Sequence, residues 1–299
     1  MPYLFETIGL IGKYGDPGVA DTLAQIADFL RQAGRQVLLD EDTAQLTAAQ
    51  GVDVATRREI GRRAELAIVV GGDGTLLNAA RSLVDFQVPI VGVNLGRLGF
   101  LTDVSPAEIP AGLDAILQGR YHEENRALLH AQVRRGEQVI SEADALNDVV
   151  VHKRDVARMV ELDTFLDGQL LNAYRADGLI IATPTGSTAY ALSGGGPILH
   201  PTLEAFVVVP ICPHTLTHRP IVIGADSDIE IVVRGRNTTQ TQITCDGQIS
   251  LPIEPGDRIV IRRKRRQLRL LHPLNHDYYE LLRAKLRWGV NPEGTEFNR

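Results

Sequence analysis

The apolar run Leu66-Ala67-Ile68-Val69-Val70 opens directly into Gly71-Gly72-Asp73-Gly74-Thr75, and helical spacing resumes at Leu76. A continuous run of this length suits a strand buried on both faces of a parallel sheet. Three glycines let the backbone approach a ligand closely and adopt dihedral angles that other residues avoid. The N–H groups freed at a helix start form an anion site suited to phosphate. A carboxylate in that turn repels phosphate, so Asp73 reads as a group that orients, or takes a proton from, an attacking hydroxyl. Gly72 and Gly74 then hold the phosphate. An Asp-Gly pair alone is usually a turn; at the carboxyl end of a sheet strand it marks a ligand site.

The flanking pattern sets the class. Short strands are expected at Phe5 to Ile11, Val37 to Leu39 and Val88 to Val93, with helices from Val19 to Leu30 and from Leu76. Alternating strand and helix predict a Rossmann-like α/β domain with a parallel sheet. The texture changes after Asp103. A short helix is expected between Pro106 and Gly119. From Ala127 to His272 short β-runs (ALLHAQVRR, VARMVELDTFLD, IEIVV, QTQITC, RIVIRR, QLRLL) follow one another, punctuated by Asp167-Gly168, Asp246-Gly247 and Pro255-Gly256. This predicts a β-rich domain, a layered β-sandwich. The expected division is residues 1–103 and 104–275, with an amphipathic helix in 276–299 packing back on the first domain and the site in the cleft between the two.

Composition narrows the function classes. With 31 basic and 37 acidic residues the formal charge is −6, the wrong sign for a dedicated nucleic-acid binder. Cys212 and Cys245 are the only cysteines, which excludes a disulfide-rich scaffold; they read as buried or half-buried thiols. The best apolar segment, Ala205 to Cys212, falls far short of the ~20 residues of a bilayer span, and the start lacks a cationic leader. A cytoplasmic protein with no membrane partner is expected. The dinucleotide fingerprint and the Walker loop both fail: GDGTLL lacks a third glycine, NLGRLG lacks the first, and Thr7 and Tyr14 are wrong for a P-loop around Lys13.

Two further segments carry polar chemistry. Asp177 to Pro197 (DGLIIATPTGSTAYALSGGGP) ends a buried strand in hydroxyls and glycines, including Thr183, Thr185, Ser187, Thr188, Tyr190 and Ser193. Such groups suit a polyhydroxylated, phosphate-bearing ligand, or a plain surface loop. No GxSxG elbow is present, which disfavours a serine hydrolase. Asn147-Asp148, ahead of Val149-Val150-Val151, reads as a turn leading a strand, with contact to a ribose and a base edge as the alternative. His214 and His218 are spaced for one helix face but flanked by Pro213 and Pro220 with no glutamate after the first, so no protein-held metal is expected. Arg262 to Arg266 (RRKRR) reads as a solvated hairpin tip.

Taken together, GGDGT at 71–75, NLGRLGFLTD at 94–103, NDVVVHK at 147–153, RADGLIIATPTGSTAYALSGGGPI at 175–198, PHTLTHRP at 213–220 and CDGQ at 245–248 resemble the motifs of NAD kinases in order and spacing over nearly the whole chain. GGDG is shared with diacylglycerol and sphingosine kinases and loosely with phosphofructokinases; TPTGSTAY is far more specific. The resemblance implies phosphorylation of the adenosine ribose 2′-hydroxyl of NAD by ATP, or by polyphosphate in some members, with a divalent cation such as Mg2+ bound with ATP, in a homo-oligomer, a dimer or tetramer. It implies that Asp73 is the proton acceptor, beside Gly72 and Gly74. By the same resemblance Asn147 and Asp148 hold the adenosine end, and Arg175 and Asp177 contact the dinucleotide, Asp177 near the nicotinamide. Thr188, Ala189, Tyr190 and Ser193 line it, Gln248 adds a late contact and Arg158 a variable one. Many members carry glutamate where this chain has Asp148, a carboxylate retracted by one methylene. The alternatives are a lipid kinase and a non-catalytic NAD(H) sensor.

Overall fold

The computed structural model describes residues 3–13, 15, 17–45, 51–96, 98–154, 159–234, 241–254 and 256–288. The chain divides into two compact units, Met1–Glu124 with Arg269–Arg299, and Asn125–Leu268. Among the described residues no helix is long and apolar enough to cross a membrane.

The first unit is built on a seven-stranded sheet. Its order is Asp53–Ala55, Gln36–Asp40, Thr7–Gly12, Leu66–Val70, Ile90–Val93, Leu268–His272 and His122–Arg126. The first six pair in parallel. Every residue of Leu66–Val70 is buried, because helices cover both faces. Helix Ala20–Gln32 buries Leu23, Ile26, Ala27 and Leu30 at helical spacing, and Gly34 after it has φ 71°, the usual left-handed stop. The chain order reverses between Thr7–Gly12 and Leu66–Val70, and ligand sites in open parallel sheets form at the carboxyl ends of strands at such a switch point.

This unit extends past the change of texture at Asp103. Helix Ile109–Leu117 buries Ile109, Leu113, Ile116 and Leu117 in the same cluster as Leu10 and Val70. Apolar contact therefore assigns it to the parallel sheet. The run QLRLL also departs from its expected place, since Leu268–His272 pairs with Ile90–Val93, whereas Arg258–Arg263 pairs with Leu129–Arg135 and Ile229–Arg234. The basic run is thus no hairpin tip. Helix Tyr278–Leu286 belongs to the first unit, with Leu281 and Leu282 buried.

The second unit contains two six-stranded sheets. One runs Gln169–Ala176, Val160–Leu166, Ile229–Arg234, Arg258–Arg263, Leu129–Arg135 and Gln138–Ala145; the other Ile221–Gly224, Ala205–Ile211, Gly178–Ala182, Asp148–Lys153, Thr241–Cys245 and Ile249–Leu251. Alternate residues of both sheets share one core, including Leu129, Ala131, Val149, Val151, Leu179, Ile181, Phe206 and Ile231. The intervening residues Val150, Ile180, Val207 and Val209 form a second cluster with Ala191 and Leu199. The central strands of the second sheet are therefore buried on both faces, which explains their unbroken apolar runs. Two Asp-Gly turns have both residues at positive φ: Asp167-Gly168, at 51° and 78°, forms a two-residue hairpin loop of the kind that requires it, and Asp246-Gly247, at 52° and 63°, opens the three-residue loop between Cys245 and Ile249.

Phe206 is fully buried in the shared core. Phe206→Ala should lower the unfolding free energy by about 3–5 kcal/mol, read as a fall in the urea midpoint with far-ultraviolet circular dichroism unchanged before the transition.

Candidate active site

The glycine turn sits at the carboxyl end of Leu66–Val70. Gly71 N–H donates to Val93 O at 2.9 Å and Lys13 N–H to Val70 O at 3.0 Å, which fixes the turn to the strand ends on either side. Gly71 has φ 155°, and a Cβ there would lie 2.6 Å from Thr75 Oγ1, whereas a Cβ on Gly72 would meet nothing within 4 Å. Gly71 is thus set by packing and Gly72 faces open space. Asp73 is the first residue of helix Asp73–Leu83. Its Oδ2 accepts from Phe100 N–H at 3.0 Å and its Oδ1 from Leu101 N–H at 2.9 Å. A Cβ on Gly99 would lie 2.3 Å from Asp73 Oδ1, so only glycine lets this loop approach. The carboxylate is therefore held rather than alone in its turn. Each oxygen keeps lone-pair capacity after one hydrogen bond, so the group is oriented and still able to accept.

In the second unit a cleft of about 330 Å³ brings together Asn147, Asp148, Ala189 and Tyr190, four of the residues expected from sequence. Val150, His152, Thr244, Asp246 and Gly247 complete it. Asp148, Val150 and His152 share one face of a strand by the period of two. Asp246 is the residue that sequence reasoning missed. Its Oδ1 accepts from Asn147 N–H at 2.7 Å and Asp148 N–H at 3.3 Å, and its Oδ2 from Leu146 N–H at 3.1 Å. One carboxylate thus clamps the turn that presents Asn147 and Asp148. The signal was the Asp-Gly pair within CDGQ, legible as a turn but not as a clamp. Asp148 is itself buried, and burial, with the like charge of Asp246 second, pushes its carboxyl up to about 7.

The hydroxyl-rich segment mostly faces inward. Thr183 Oγ1 donates to Leu146 O at 2.5 Å and accepts from Gly186 N–H at 3.1 Å. Ser187 Oγ donates to Pro184 O at 2.6 Å and accepts from Leu199 N–H at 2.9 Å, and Thr188 Oγ1 donates to Thr185 O at 3.1 Å. These hydroxyls brace the loop from within. A Cβ on Gly186 would lie 2.0 Å from Asn147 O, so the loop can seat against the Asn147 turn only with glycine there. Tyr190 and Ser193 remain exposed.

Arg175, Asp177, Thr188, Ser193 and Gln248 lie outside the lining of this cleft. Arg175 is exposed on strand Gln169–Ala176 and Gln248 is exposed beside the Asp246 turn. Asp177 forms an ion pair with Lys153 at 2.6 Å. Arg158 is outside the described residues. His214 and His218 lie in no helix, and His218 packs edge-on against Tyr174 at 5.1 Å. Within the basic run Arg262 pairs with Asp228, Arg263 with Glu204 and Lys264 with Asp144, each at 2.7 Å. Cys245 is buried, but Cys212 is exposed with φ 43°, against the expectation of two sheltered thiols; it lies just beyond the end of strand Ala205–Ile211.

Two family models match the chain, the ATP-NAD kinase N-terminal domain over residues 8–121 and the ATP-NAD kinase C-terminal domain over residues 146–272. The chain is 51% identical over 285 residues to the NAD kinase of Nitrosococcus oceani, covering 95% of this chain and 97% of that protein. It is 48% identical over 292 residues to the NAD kinase of Pseudomonas putida, covering 98% and 99%. Among solved structures it is similar to yeast NADH kinase complexed with NADH, with TM-score 0.87 at 24% identity over 100% of this chain and 91% of that one. An NAD kinase from Archaeoglobus fulgidus in complex with ATP matches with TM-score 0.71 at 26% identity, over 94% and 98%.

The raised Asp148 carboxyl makes stability depend on pH. Between its ordinary value of 3.8 and about 7, the unfolded chain ionises this group while the folded chain keeps its proton. The folded state then binds more protons, so stability falls as pH rises through that interval and levels off above it. Each pH unit is worth about 1.4 kcal/mol, which bounds the total at roughly 4 kcal/mol. Asp148→Asn should remove this decline. In urea unfolding without nucleotide, the variant should gain on the wild type from pH 4 to pH 8; parallel curves would contradict the buried, charge-crowded carboxyl.

Proposed function

The chain belongs to the ATP-NAD kinase family, and from that premise we propose how its residues divide the work of a phosphotransferase that moves the terminal phosphoryl group of ATP to the 2′-hydroxyl of the adenosine ribose of NAD. The observation that carries the reading is the held Asp73 carboxylate: both oxygens are fixed by N–H donors of one loop, at the start of a helix that follows a glycine turn. The hydroxyl oxygen forms a bond to the γ-phosphorus as the bond from that phosphorus to the bridging β–γ oxygen breaks. ADP leaves, and Asp73 accepts the hydroxyl proton.

Gly72, Gly74 and the first N–H groups of helix Asp73–Leu83 are the groups for phosphate, since a helix N-terminus favours anions. A divalent cation bound with ATP fits a turn with open space at Gly72 and an oriented carboxylate, because hard cations take oxygen ligands. Asp73 would be the protein group beside it, and the ion, when bound, neutralises phosphate charge. Catalysis in such transfers is mostly positioning and electrostatics, which is why a carboxylate with a fixed direction matters.

Asn147, Asp148, Ala189 and Tyr190 hold the adenosine end in this proposal. A cleft of about 330 Å³ is at the small end for ligand sites and suits a nucleoside rather than a whole dinucleotide. Arg175, Asp177, Thr188, Ser193 and Gln248, outside the cleft, are then left for the remainder of NAD. A homo-oligomer and a cytoplasmic location complete the proposal.

Incubation with NAD, ATP and Mg2+ should yield NADP, with no phosphorylation of diacylglycerol under the same conditions; lipid phosphorylation without NADP would overturn the assignment. Asp73→Asn should lower kcat by about 10²–10⁴-fold, the range for a lost general base, with the KM for NAD little changed. A kcat within a few-fold of wild type would remove Asp73 from proton transfer. Asp148→Ala should instead raise the KM for NAD more than it lowers kcat, the pattern of a contact to a non-reacting part of the substrate.

A further inference from the structure

Asp103, His272 and His276 form a cluster in the first unit that no step above uses. Asp103 lies past the loop that holds Asp73, His272 ends strand Leu268–His272, and His276 shortly precedes helix Tyr278–Leu286. Asp103 Oδ2 is 2.9 Å from His272 Nδ1 and 2.8 Å from His276 Nδ1. The two rings stack with centroids 4.1 Å apart. All three side chains are sheltered, with His272 2% and His276 6% exposed. Their ligating atoms lie within 4.8 Å of one another.

Hydrogen bonding alone leaves this cluster poorly satisfied. If both imidazoles donate Nδ1–H to the same carboxylate oxygen, then Asp103 Oδ1, His272 Nε2 and His276 Nε2 are all buried with no hydrogen-bond partner. Buried polar atoms are normally paired. A cation on the two Nδ1 atoms and the carboxylate changes that balance. The second carboxylate oxygen becomes available to the same ion, and each imidazole carries its proton on Nε2. His272 Nε2 is 3.7 Å from Glu124 Oε2, so a small shift would place a carboxylate behind a metal-bound histidine, the common supporting arrangement.

The spacing agrees with this. A tetrahedral ion with bonds of about 2.1 Å sets its ligand atoms about 3.4 Å apart, so the carboxylate–imidazole pairs at 2.9 and 2.8 Å need open by only about half an ångström. The chemistry also selects the ion. Two imidazoles and one carboxylate suit zinc and its transition-metal neighbours, whereas magnesium and calcium prefer all-oxygen shells. A cavity of about 580 Å³, lined by Asp103, His276, Arg120, Asn275 and Glu280 among others, adjoins the cluster and gives water or a small anion access to a remaining position.

We propose that Asp103, His272 and His276 form a binding site for a zinc-class dication, separate from the cation that accompanies ATP. Its role is structural. Asp103 is two residues beyond Leu101, whose N–H holds Asp73, so an ion here ties that loop to the strand end at His272 and to the turn before the last helix. The site acts as a positioning device for the proton acceptor, without touching substrate.

The test uses the full chain, treated with chelator, dialysed and titrated with Zn2+ alone by calorimetry in the absence of nucleotide. One ion per chain is expected, with a rise in Tm. Co2+ alone should give visible absorption bands of a nitrogen- and oxygen-ligated ion. His276→Gln keeps a hydrogen-bonding side chain beside Asp103 and should weaken Zn2+ binding by at least about 10–100-fold, the loss that outer-shell changes alone produce. Asp103→Asn should do the same; if that variant fails to fold by circular dichroism, His276→Gln decides. His130→Gln, at the separate pair of His130 with Asp144, should change nothing. No stoichiometric Zn2+ binding by the wild type, or equal binding by His276→Gln, would leave the cluster a hydrogen-bonded clip and overturn the proposal.

Discussion

Strands covered on both faces can carry chemistry only at their ends, and this constraint organises both units. Leu66–Val70 is buried throughout, so Asp73 appears only after the chain has left the sheet. Gly178–Ala182 is likewise buried throughout, and Thr183 follows its last residue. Strand Asp148–Lys153 begins with its carboxylate and continues through three buried valines. A charge placed inside any of these runs would lose its hydration with no partner in reach. The polar residues therefore gather at strand ends, where turns can supply N–H groups to meet them.

Those turns succeed because two glycines permit backbone contacts that any side chain would block. Gly99 lets its loop reach the Asp73 carboxylate, and Gly186 lets the segment after Thr183 seat on the Asn147 carbonyl. In each case a functional group is held by main-chain atoms, which cannot rotate away as a side-chain partner could. The hydroxyls of Thr183 and Ser187 serve the same end from inside the loop, bonding Leu146 O and Leu199 N–H. The segment most specific in sequence is thus largely scaffolding, with Ala189 and Tyr190 as the part that faces the cleft.

Sequence revealed what periodicity and turn chemistry encode locally. The buried strand, the glycine turn and the helix Ala20–Gln32 were readable because apolar spacing alone specifies them. Helix Arg57–Arg63 was not, since RREIGRR shows almost no apolar stripe; its signal was the capping box of Thr56 and Glu59. The assignment of Ile109–Leu117 and Leu268–His272 to the first unit was hidden for a different reason. An apolar run says that a segment is buried, not against which sheet. The Asp246 clamp and the Asp103 cluster were hidden likewise, as each joins residues about a hundred or more positions apart, for which no local pattern exists.

The two carboxylates of the cleft in the second unit show how one fold places the same side chain in opposite surroundings. Asp246 receives three backbone N–H groups, which hold its carboxylate in place. Asp148 makes no side-chain hydrogen bond among the described residues and lies buried on the clamped turn, so it bears both the desolvation and the like charge. The short side chain sharpens this contrast. A glutamate would carry its charge one methylene farther from the turn that Asp246 clamps, whereas aspartate keeps it close. A ligand hydroxyl entering the cleft would supply the hydrogen bond that the carboxyl lacks, so the cost of holding Asp148 unpaired is relieved only when the site is filled. A buried carboxyl of this kind favours a ligand that brings a hydroxyl over one that lacks it.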